Sequence, residues 1–246
     1  MNTEVFVYGV VDPETQVPPD LLGVGDAPLR VVAVFGDPIG ALISDLPPGT
    51  RPGRKADLLS YSRVLDTVAA EGLVAPVRFG AVMYDEMTVV EDFLVPNVDF
   101  FREVLNSLRG CVQFNLQALY DETTVLAEVV RADREIARLH AATRDAPVDT
   151  ALSERMRLGE LVAAALESKR EWDAETIMEV VSPHVVAAQT KPGSGVEHVL
   201  KAALLVERVG EQALEDVLEN LAETVHERIR LKLVGPLAAY DFVGEA

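Results

Sequence analysis

Short runs of apolar, β-branched and aromatic residues mark the first strands of this chain. They predict strands at Val5–Val11, Leu29–Phe35 and Ala41–Leu46, with a turn at Gly36-Asp37-Pro38 between the last two. Apolar positions then recur at helical spacing up to Gly72. That spacing predicts a helix with this apolar face: Leu58, Tyr61, Leu65, Val68 and Ala69.

The next segment combines an extended stretch with a long helical region. Residues 74–80 are predicted to be extended, because Pro76 lacks an N–H donor and biases the residue before it away from the α conformation. Helical spacing continues from about Asp85 to Leu108. Pro96 is predicted to break this helix, and Asn97 to cap its second half.

After Gly110 the pattern starts again, which predicts a second domain. Alternating positions predict a half-buried strand at 111–119. Helices at 122–144 and 151–170, joined by 145–149, are predicted to form an antiparallel helical hairpin. Its apolar contacts are predicted at Val125, Val129, Ile136, Leu139, Val162 and Leu166.

The rest of the second domain is predicted to alternate strands and helices. The segments are a short helix at 173–181, strands at 184–189 and 196–206 around a turn at 191–195, a helix at about 211–225 and a strand at 229–234. We therefore expect an α+β protein with an N-terminal α+β domain at 1–109 and a C-terminal domain at 110–246. The second is expected to be a modified ferredoxin-like fold with an inserted helical hairpin and a C-terminal tail.

The net charge limits the classes of partner, and the cysteine count indicates the redox compartment. The formal net charge is −18, so we expect neither nucleic acid nor an anionic membrane surface as a partner. Cys111 is the single cysteine and cannot form an internal disulfide, which fits a reducing compartment. No basic leader or apolar run of about 20 residues is visible, and we expect a cytoplasmic protein.

A search for catalytic and metal-binding motifs finds none. The four histidines lack the spacing of zinc ligands, although His184 and His198 lie near opposed predicted strands. The acidic residues of the helix at 211–225 lie opposite its apolar stripe, as on a solvated helix face. We expect no catalytic residues, no cofactor and no metal, and therefore not an enzyme.

Three segments are more specific than the composition: Val7-Tyr8-Gly9-Val10-Val11, the helix and strand at 64–80 that end in Pro-Val-Arg-Phe-Gly, and the C-terminal 233–243. Together they resemble the gas vesicle protein F and L family over essentially the whole chain. The family tail usually reads Gly-Pro-Leu-Pro-Pro-Tyr-Asp-Phe, whereas Ala238 and Ala239 replace the two prolines here.

The resemblance implies a two-domain α+β accessory or minor structural protein of the gas vesicle. Its expected partners are the small hydrophobic shell subunit and other gas vesicle accessory proteins. The candidate residues for partner contact or for packing between the domains lie in the matching segments: Arg78, Phe79, Tyr240, Asp241 and Phe242. The competing hypothesis is a ferredoxin-like regulatory protein that binds a small ligand, which requires a concave pocket with convergent polar groups.

Overall fold

The first sheet is built around strand β1, Val5–Val11, whose seven residues are all buried. The computed structural model describes residues 3–47, 49–147, 151–193, 195 and 197–244. It divides the chain into unit 1, with Met1–Phe114, Leu205–Arg208 and Gly235–Ala246, and unit 2, with Asn115–Leu204 and Val209–Val234.

Unit 1 contains β1 with four further strands. These are β2 Leu29–Ala33, β3 Gly40–Asp45, β4 Val74–Pro76 and β5 Val82–Met83. The order is β2-β3-β1-β4, and β5 also pairs with β1. The antiparallel register of β1 with β3 runs from Val5 opposite Asp45 to Val11 opposite Gly40, with an irregularity between Val7 and Gly9. Gly9 is required there, because a Cβ atom would lie 2.7 Å from the Val74 side chain.

The helices of unit 1 are α1 Lys55–Glu71, α2 Glu86–Thr88 and α3 Val98–Leu108. Between α2 and α3 lie a π-helical turn at Val89–Leu94 and a 3-10 turn at Val95–Asn97. The predicted break at Pro96 is therefore a change of helix type. The predicted cap is wrong, because the Asn97 side chain makes no cap hydrogen bond and its Nδ2 donates back to the Phe93 carbonyl at 2.9 Å.

The second sheet contains β6 Cys111–Tyr120, β7 Ala187–Thr190, β8 His198–Glu207 and β9 Ile229–Leu237. Its order is β7-β8-β6-β9. Strands β6, β8 and β9 each contribute residues to both units. The two antiparallel sheets and their helices confirm the predicted α+β class.

The helices of unit 2 are α4 Glu122–Ala132, α5 Arg134–Arg144, α6 Leu152–Val181 and α7 Glu211–Val225. Asp133 divides the predicted helix at 122–144, because its carboxylate accepts the Glu135 and Ile136 N–H groups and begins a new helix. The predicted separate helix at 173–181 is wrong. No proline or glycine interrupts the chain between 160 and 181, and α6 continues through it.

Several predicted strand boundaries differ from the structure: β2 ends at Ala33 rather than Phe35, β3 runs from Gly40 to Asp45, and β9 extends to Leu237. The predicted strand at 184–189 begins later, because Pro183 lies in a 3-10 turn at Ser182–His184 that precedes β7. Strand β8 starts at His198 rather than 196. Parts of the predicted hairpin connection, at 148 and 149, and of the turn, at 194, lie outside the described residues.

Candidate functional site

The candidate residues surround an aromatic cluster in unit 1. Phe6 and Tyr8 alternate along β1 and therefore share one face of the sheet, where their ring centroids are 4.8 Å apart. Tyr61 on α1 lies 6.2 Å from each of these rings and 5.3 Å from the ring of Phe79. Phe79 therefore packs against the core of unit 1 rather than projecting into solvent.

Hydrogen bonds fix the extended segment that carries Arg78 and Phe79. The Tyr61 hydroxyl donates to the Val77 carbonyl at 2.5 Å, and the Val77 N–H donates to the Tyr8 carbonyl at 2.9 Å. Burial, with a smaller contribution from the charge of Asp66, raises the pKa of Tyr61, so the hydroxyl keeps its proton as a donor. Arg78 is exposed beside this fixed segment.

The C-terminal segment, residues 235–244, packs within the same unit. Ala238 is 1% exposed and Ala239 is also buried. The Ala238 N–H donates to Asp66 Oδ1 at 3.0 Å, and the Tyr240 hydroxyl donates to the same oxygen at 3.1 Å. A proline at 238, as in the usual family tail, would lack this N–H donor. The replacement of proline by Ala238 therefore provides an additional attachment.

Asp66 carries an ionisable group in a partly buried position on α1. Burial raises the pKa of Asp66, and the two hydrogen bonds from Ala238 and Tyr240 oppose the rise. The pKa of Tyr240 is also raised, first by burial and then by the charge of Asp66. The proton of the hydroxyl is thus held on Tyr240, and the carboxylate acts as the acceptor.

Asp241 and Phe242 extend the attachment towards β6. The Gln113 side chain, 1% exposed, donates from Nε2 to Asp241 Oδ2 at 2.6 Å and accepts the Asp241 N–H at 3.0 Å. Phe242 is half-buried, and its N–H donates to the Ala239 carbonyl. All five candidate residues therefore have intramolecular contacts in unit 1. Arg78 contributes only its carbonyl, which accepts the Ala81 N–H at 3.3 Å, and is the exposed member of the set.

The anchoring partners Tyr61, Asp66 and Gln113 were not predicted from the sequence as site residues. The spacing of Tyr61 is that of an ordinary core position of the helix. Gln113 occupies a polar position in a strand of alternating pattern, which predicts a solvent-facing side chain. Asp66 lies within the segment 64–80 that carries the family resemblance. Its place in this segment was the one feature of the sequence that could have marked Asp66 as a site residue.

A second buried polar cluster lies in unit 2. The Tyr120 hydroxyl donates to Asp173 Oδ2 at 2.6 Å, and Arg228 donates to the same oxygen at 3.0 Å. Asp173 is 1% exposed, and burial together with its carboxylate raises the pKa of Tyr120. Arg228 also lies 2.8 Å from Asp173 Oδ1 as an ion pair, and this buried oxygen accepts no hydrogen bond within the described residues. The arrangement is that of a buried structural ion pair.

The described residues contain no group of three or more histidine, cysteine, aspartate or glutamate side chains that could hold a metal ion. Within the same described part, no helix combines the length and hydrophobicity needed to cross a membrane. The clusters described above pack and anchor parts of the chain. They define an α+β protein in which Asp66 and Gln113 attach the C-terminal segment of the same chain.

Comparison with known proteins then identifies the family. The model of the family "Gas vesicle synthesis protein GvpL/GvpF" matches residues 4–244, and the chain belongs to this family. Gas vesicle protein F of Streptomyces sp. (strain CB03234) is 31% identical over 239 residues, which are 97% of this chain and 98% of that protein. Gas vesicle protein L of Haloferax mediterranei is 24% identical over 86% of this chain and 70% of that protein.

A solved structure has the same fold. The crystal structure of GvpF from Anabaena sp. PCC7120 superimposes with a TM-score of 0.85 over 99% of both chains, at 19% identity. The resemblance inferred from three short segments is thus confirmed over nearly the whole chain, and the role of the protein is related to gas vesicles.

Proposed function

We propose that this chain binds the small apolar shell subunit of the gas vesicle during assembly and needs no cofactor. Family membership supports the gas vesicle role. The single observation that supports a binding role is a set of large apolar side chains exposed on unit 1, above all Phe35, which is fully exposed. Exposed apolar side chains indicate an interaction site where they lie close together on one surface.

Phe35 is presented by a well-held turn after strand β2. The adjacent Asp37 accepts a hydrogen bond from Arg102 on α3 at 2.6 Å, and Arg102 also binds Asp99 at 2.6 Å. The ion pair ties the turn to α3. This restraint on the turn lowers the entropic cost of ordering its backbone when a partner binds Phe35.

Further apolar side chains are exposed in the segment that leads from β5 to α3. Tyr84, Met87 and Val95 are each more than half exposed. Arg30 on β2 binds Glu86 in this segment at 2.6 Å, which brings the segment to the same strand that leads to Phe35. An apolar client would cover these side chains, and the net charge of −18 would keep the resulting complexes apart.

The five candidate residues have different roles in this proposal. Tyr240 and Asp241 attach the C-terminal segment to Asp66 and Gln113. Phe79 packs against the core of unit 1, and the Phe242 N–H bonds within the segment to Ala239. Arg78 is exposed and is the member of the set that remains available for contact with a partner. The partner set extends to other gas vesicle accessory proteins.

The test is co-purification of the small shell subunit with the double variant Phe35→Ser, Met87→Ser. Because both side chains are exposed, the variant keeps the melting temperature of the natural chain, and we expect at least a fivefold loss of bound client. Val209→Ser is the matched control, since Val209 is 92% exposed in unit 2. Equal client binding by all three proteins would overturn this surface assignment.

The assembly role has its own test in cells. Deleting the gene, with no related copy present, is expected to abolish or strongly reduce vesicle formation, and restoring the chain is expected to rescue it. Normal vesicles without the protein would contradict the assembly role whatever surface binds the client.

The ferredoxin-like interpretation of the second sheet also belongs to this proposal. The strand order β7-β8-β6-β9 supports it, because counted along the second sheet this is 2-3-1-4 with helices in the two crossovers. A small-ligand role is the second candidate. It is favoured by a cleft of about 440 Å³ in unit 2 lined by Arg170, His198 and Lys201. A thermal-shift screen with small carboxylates and phosphates distinguishes this role from client binding.

A further inference from the structure

The solvent side of α5 carries several positive charges on a protein that is acidic as a whole. Arg134, Arg138 and Arg144 are exposed on α5, and Arg131 is exposed at the end of α4. Ile136, Leu139 and Thr143 form the opposite, buried face of α5. Helical geometry places Arg134 and Arg144 about 15 Å apart along the axis, with Arg138 between them.

These arginines have no ion-pair partner within the described part of the chain. Two of the acidic residues next to them, Asp133 and Glu135, are engaged elsewhere. Asp133 caps α5 through the Glu135 and Ile136 N–H groups, and the Glu135 carboxylate lies 3.6 Å from Arg157. Arg134 and Arg138 are one turn apart on the same face, and like charges at this spacing destabilise a helix.

The solvent face of α7 has the opposite charge. Glu215, Glu219 and Glu223 are exposed at successive turns, opposite the buried Leu214 and Leu218. Among the residues with described positions, no basic side chain forms an ion pair with any of the three glutamates. Their like charges also repel one another, and the spacing of one turn matches that of Arg134 and Arg138.

We propose that the basic face of α5 binds the acidic face of α7 on a second copy of this chain. The two faces match in sign and in spacing, and no ion pair joins them within the part of the chain that the structure describes. A net charge of −18 disfavours nucleic acid and anionic lipid as ligands of the α5 arginines. The same charge repels a second copy at long range, so the contact depends on local pairing of the two faces within about one screening length. A second copy carries the acidic α7 face, so this ligand is available wherever the protein is concentrated.

The contact would be heterologous, because the basic α5 face of one copy meets the acidic α7 face of the next copy. Such contacts close into rings or extend into open chains, depending on the rotation between copies. Because exposed ion pairs are weak and are screened by salt, the association is expected to be weak and to disappear at high ionic strength.

Sedimentation equilibrium tests the proposal with two charge-reversal variants, Arg134→Glu with Arg138→Glu, and Glu215→Lys with Glu219→Lys. Measurements at about 0.1 M and about 1 M salt compare screening lengths of about 10 Å and 3 Å. The matched control for the first variant, Arg63→Glu with Arg109→Glu, makes the same change in net charge as that variant at two exposed arginines of unit 1. Unchanged circular dichroism and melting temperature establish that each variant is folded. Should the first variant be destabilised, Arg134→Gln with Arg138→Gln replaces it.

At 0.1 M salt the natural chain is expected to show an average mass above the 26.7 kDa of one copy, and at 1 M salt to return to it. Each face variant alone associates at least tenfold more weakly, whereas the control behaves like the natural chain. An equimolar mixture of the two face variants recovers association, because each supplies one intact face. Three results would overturn the proposal: a single-copy mass at 0.1 M salt, association that survives 1 M salt, or a mixture that stays unassociated.

Discussion

At the scale of single residues, Asp66 is the group on which the C-terminal segment depends most directly. One of its oxygens accepts hydrogen bonds from both the Ala238 N–H and the Tyr240 hydroxyl. Partial burial raises the pKa of the carboxyl, so part of the benefit of these hydrogen bonds is offset by desolvation of the charge. The hydrogen bonds to the Asp66 oxygen thus stabilise the folded state, whereas the burial of its negative charge destabilises it.

Asp66→Ala and Asp66→Asn separate these two effects. Alanine leaves two donors without their acceptor and is expected to lower the free energy of unfolding by about 1–3 kcal/mol. Asparagine retains the side-chain oxygen without the charge and is expected to cost less. Urea unfolding of the three proteins at neutral pH measures the difference. Equal losses in both variants would contradict the assigned role of the oxygen.

The pH dependence of stability follows from the raised pKa of Asp66. Between the unfolded pKa, about 3.9, and the higher folded value, the folded state binds the proton more tightly. The contribution of Asp66 to stability is therefore present at low pH and is lost as the pH rises through this window. Asp66→Asn removes this dependence. Parallel curves of unfolding free energy against pH for the natural chain and the asparagine variant would contradict the assignment.

Ala238 provides a second test at the residue scale, because the usual family tail has proline there. Ala238→Pro removes the donor to Asp66 and is expected to cost about 1 kcal/mol in the natural background. In the Asp66→Ala background the acceptor is already gone, so the same substitution is expected to cost less. Four unfolding curves measure this coupling, and equal costs in both backgrounds would show that the hydrogen bond adds nothing.

At the scale of elements, the helices α4, α5 and α6 carry the apolar contacts predicted for the helical hairpin. Val125, Val129, Ile136, Leu139 and Leu166 are buried and Val162 is half-buried. The spacing of apolar residues was therefore sufficient to find the contact face. Apolar spacing alone did not show the break at Asp133 or the continuation of α6. The residue types carried both signals, because aspartate is a common helix cap and no proline or glycine lies between 160 and 181.

Ile136→Asp tests the buried face of α5. Ile136 is 1% exposed, and an unpaired carboxylate at this position is expected to cost about 3–5 kcal/mol. Ala141→Asp on the exposed side of the same helix is the control and is expected to change stability by about 0.5 kcal/mol or less. Thermal unfolding of both variants measures the contrast. Similar melting temperatures would indicate that the packing of α5 is loose.

At the scale of the whole molecule, the C-terminal segment forms hydrogen bonds with residues that are far away in the sequence. Tyr240 bonds to Asp66, and Asp241 bonds to Gln113. The backbone at Gly235 passes so close to Phe114 that a Cβ atom would lie 2.5 Å from its ring. The segment is therefore part of the packing of unit 1.

Deleting residues 235–246 is accordingly expected to lower the melting temperature by about 10 °C or more, since several kcal/mol of packing and hydrogen bonding are lost. Deleting only 244–246 removes none of the contacts described above, and a change within about 2 °C is expected. Client co-purification is measured on the same proteins. An unchanged melting temperature together with lost client binding would show instead that the segment serves as a docking element.

The domain boundary at Arg109–Gly110 stays a prediction. The sequence shows a restart of the pattern after Gly110, and β6 begins at Cys111. The compact units are divided differently, because Cys111–Phe114 and the residues 205–208 and 235–246 cluster with unit 1. Limited proteolysis and separate expression of 1–109 and 110–246 test whether either part folds alone.

The sequence by itself determined the family, the α+β class and most of the apolar faces. These properties are encoded in local spacing and in short segments such as Pro-Val-Arg-Phe-Gly, which are readable without knowing what packs on them. Only the tertiary structure decided that Asp66 and Gln113 anchor residues 238–241, and that Asp173 is buried beside Arg228. The sequence does not distinguish a polar residue that faces water from one that accepts a hydrogen bond from a buried donor. Its role depends on partners more than 50 positions away, which local patterns do not contain.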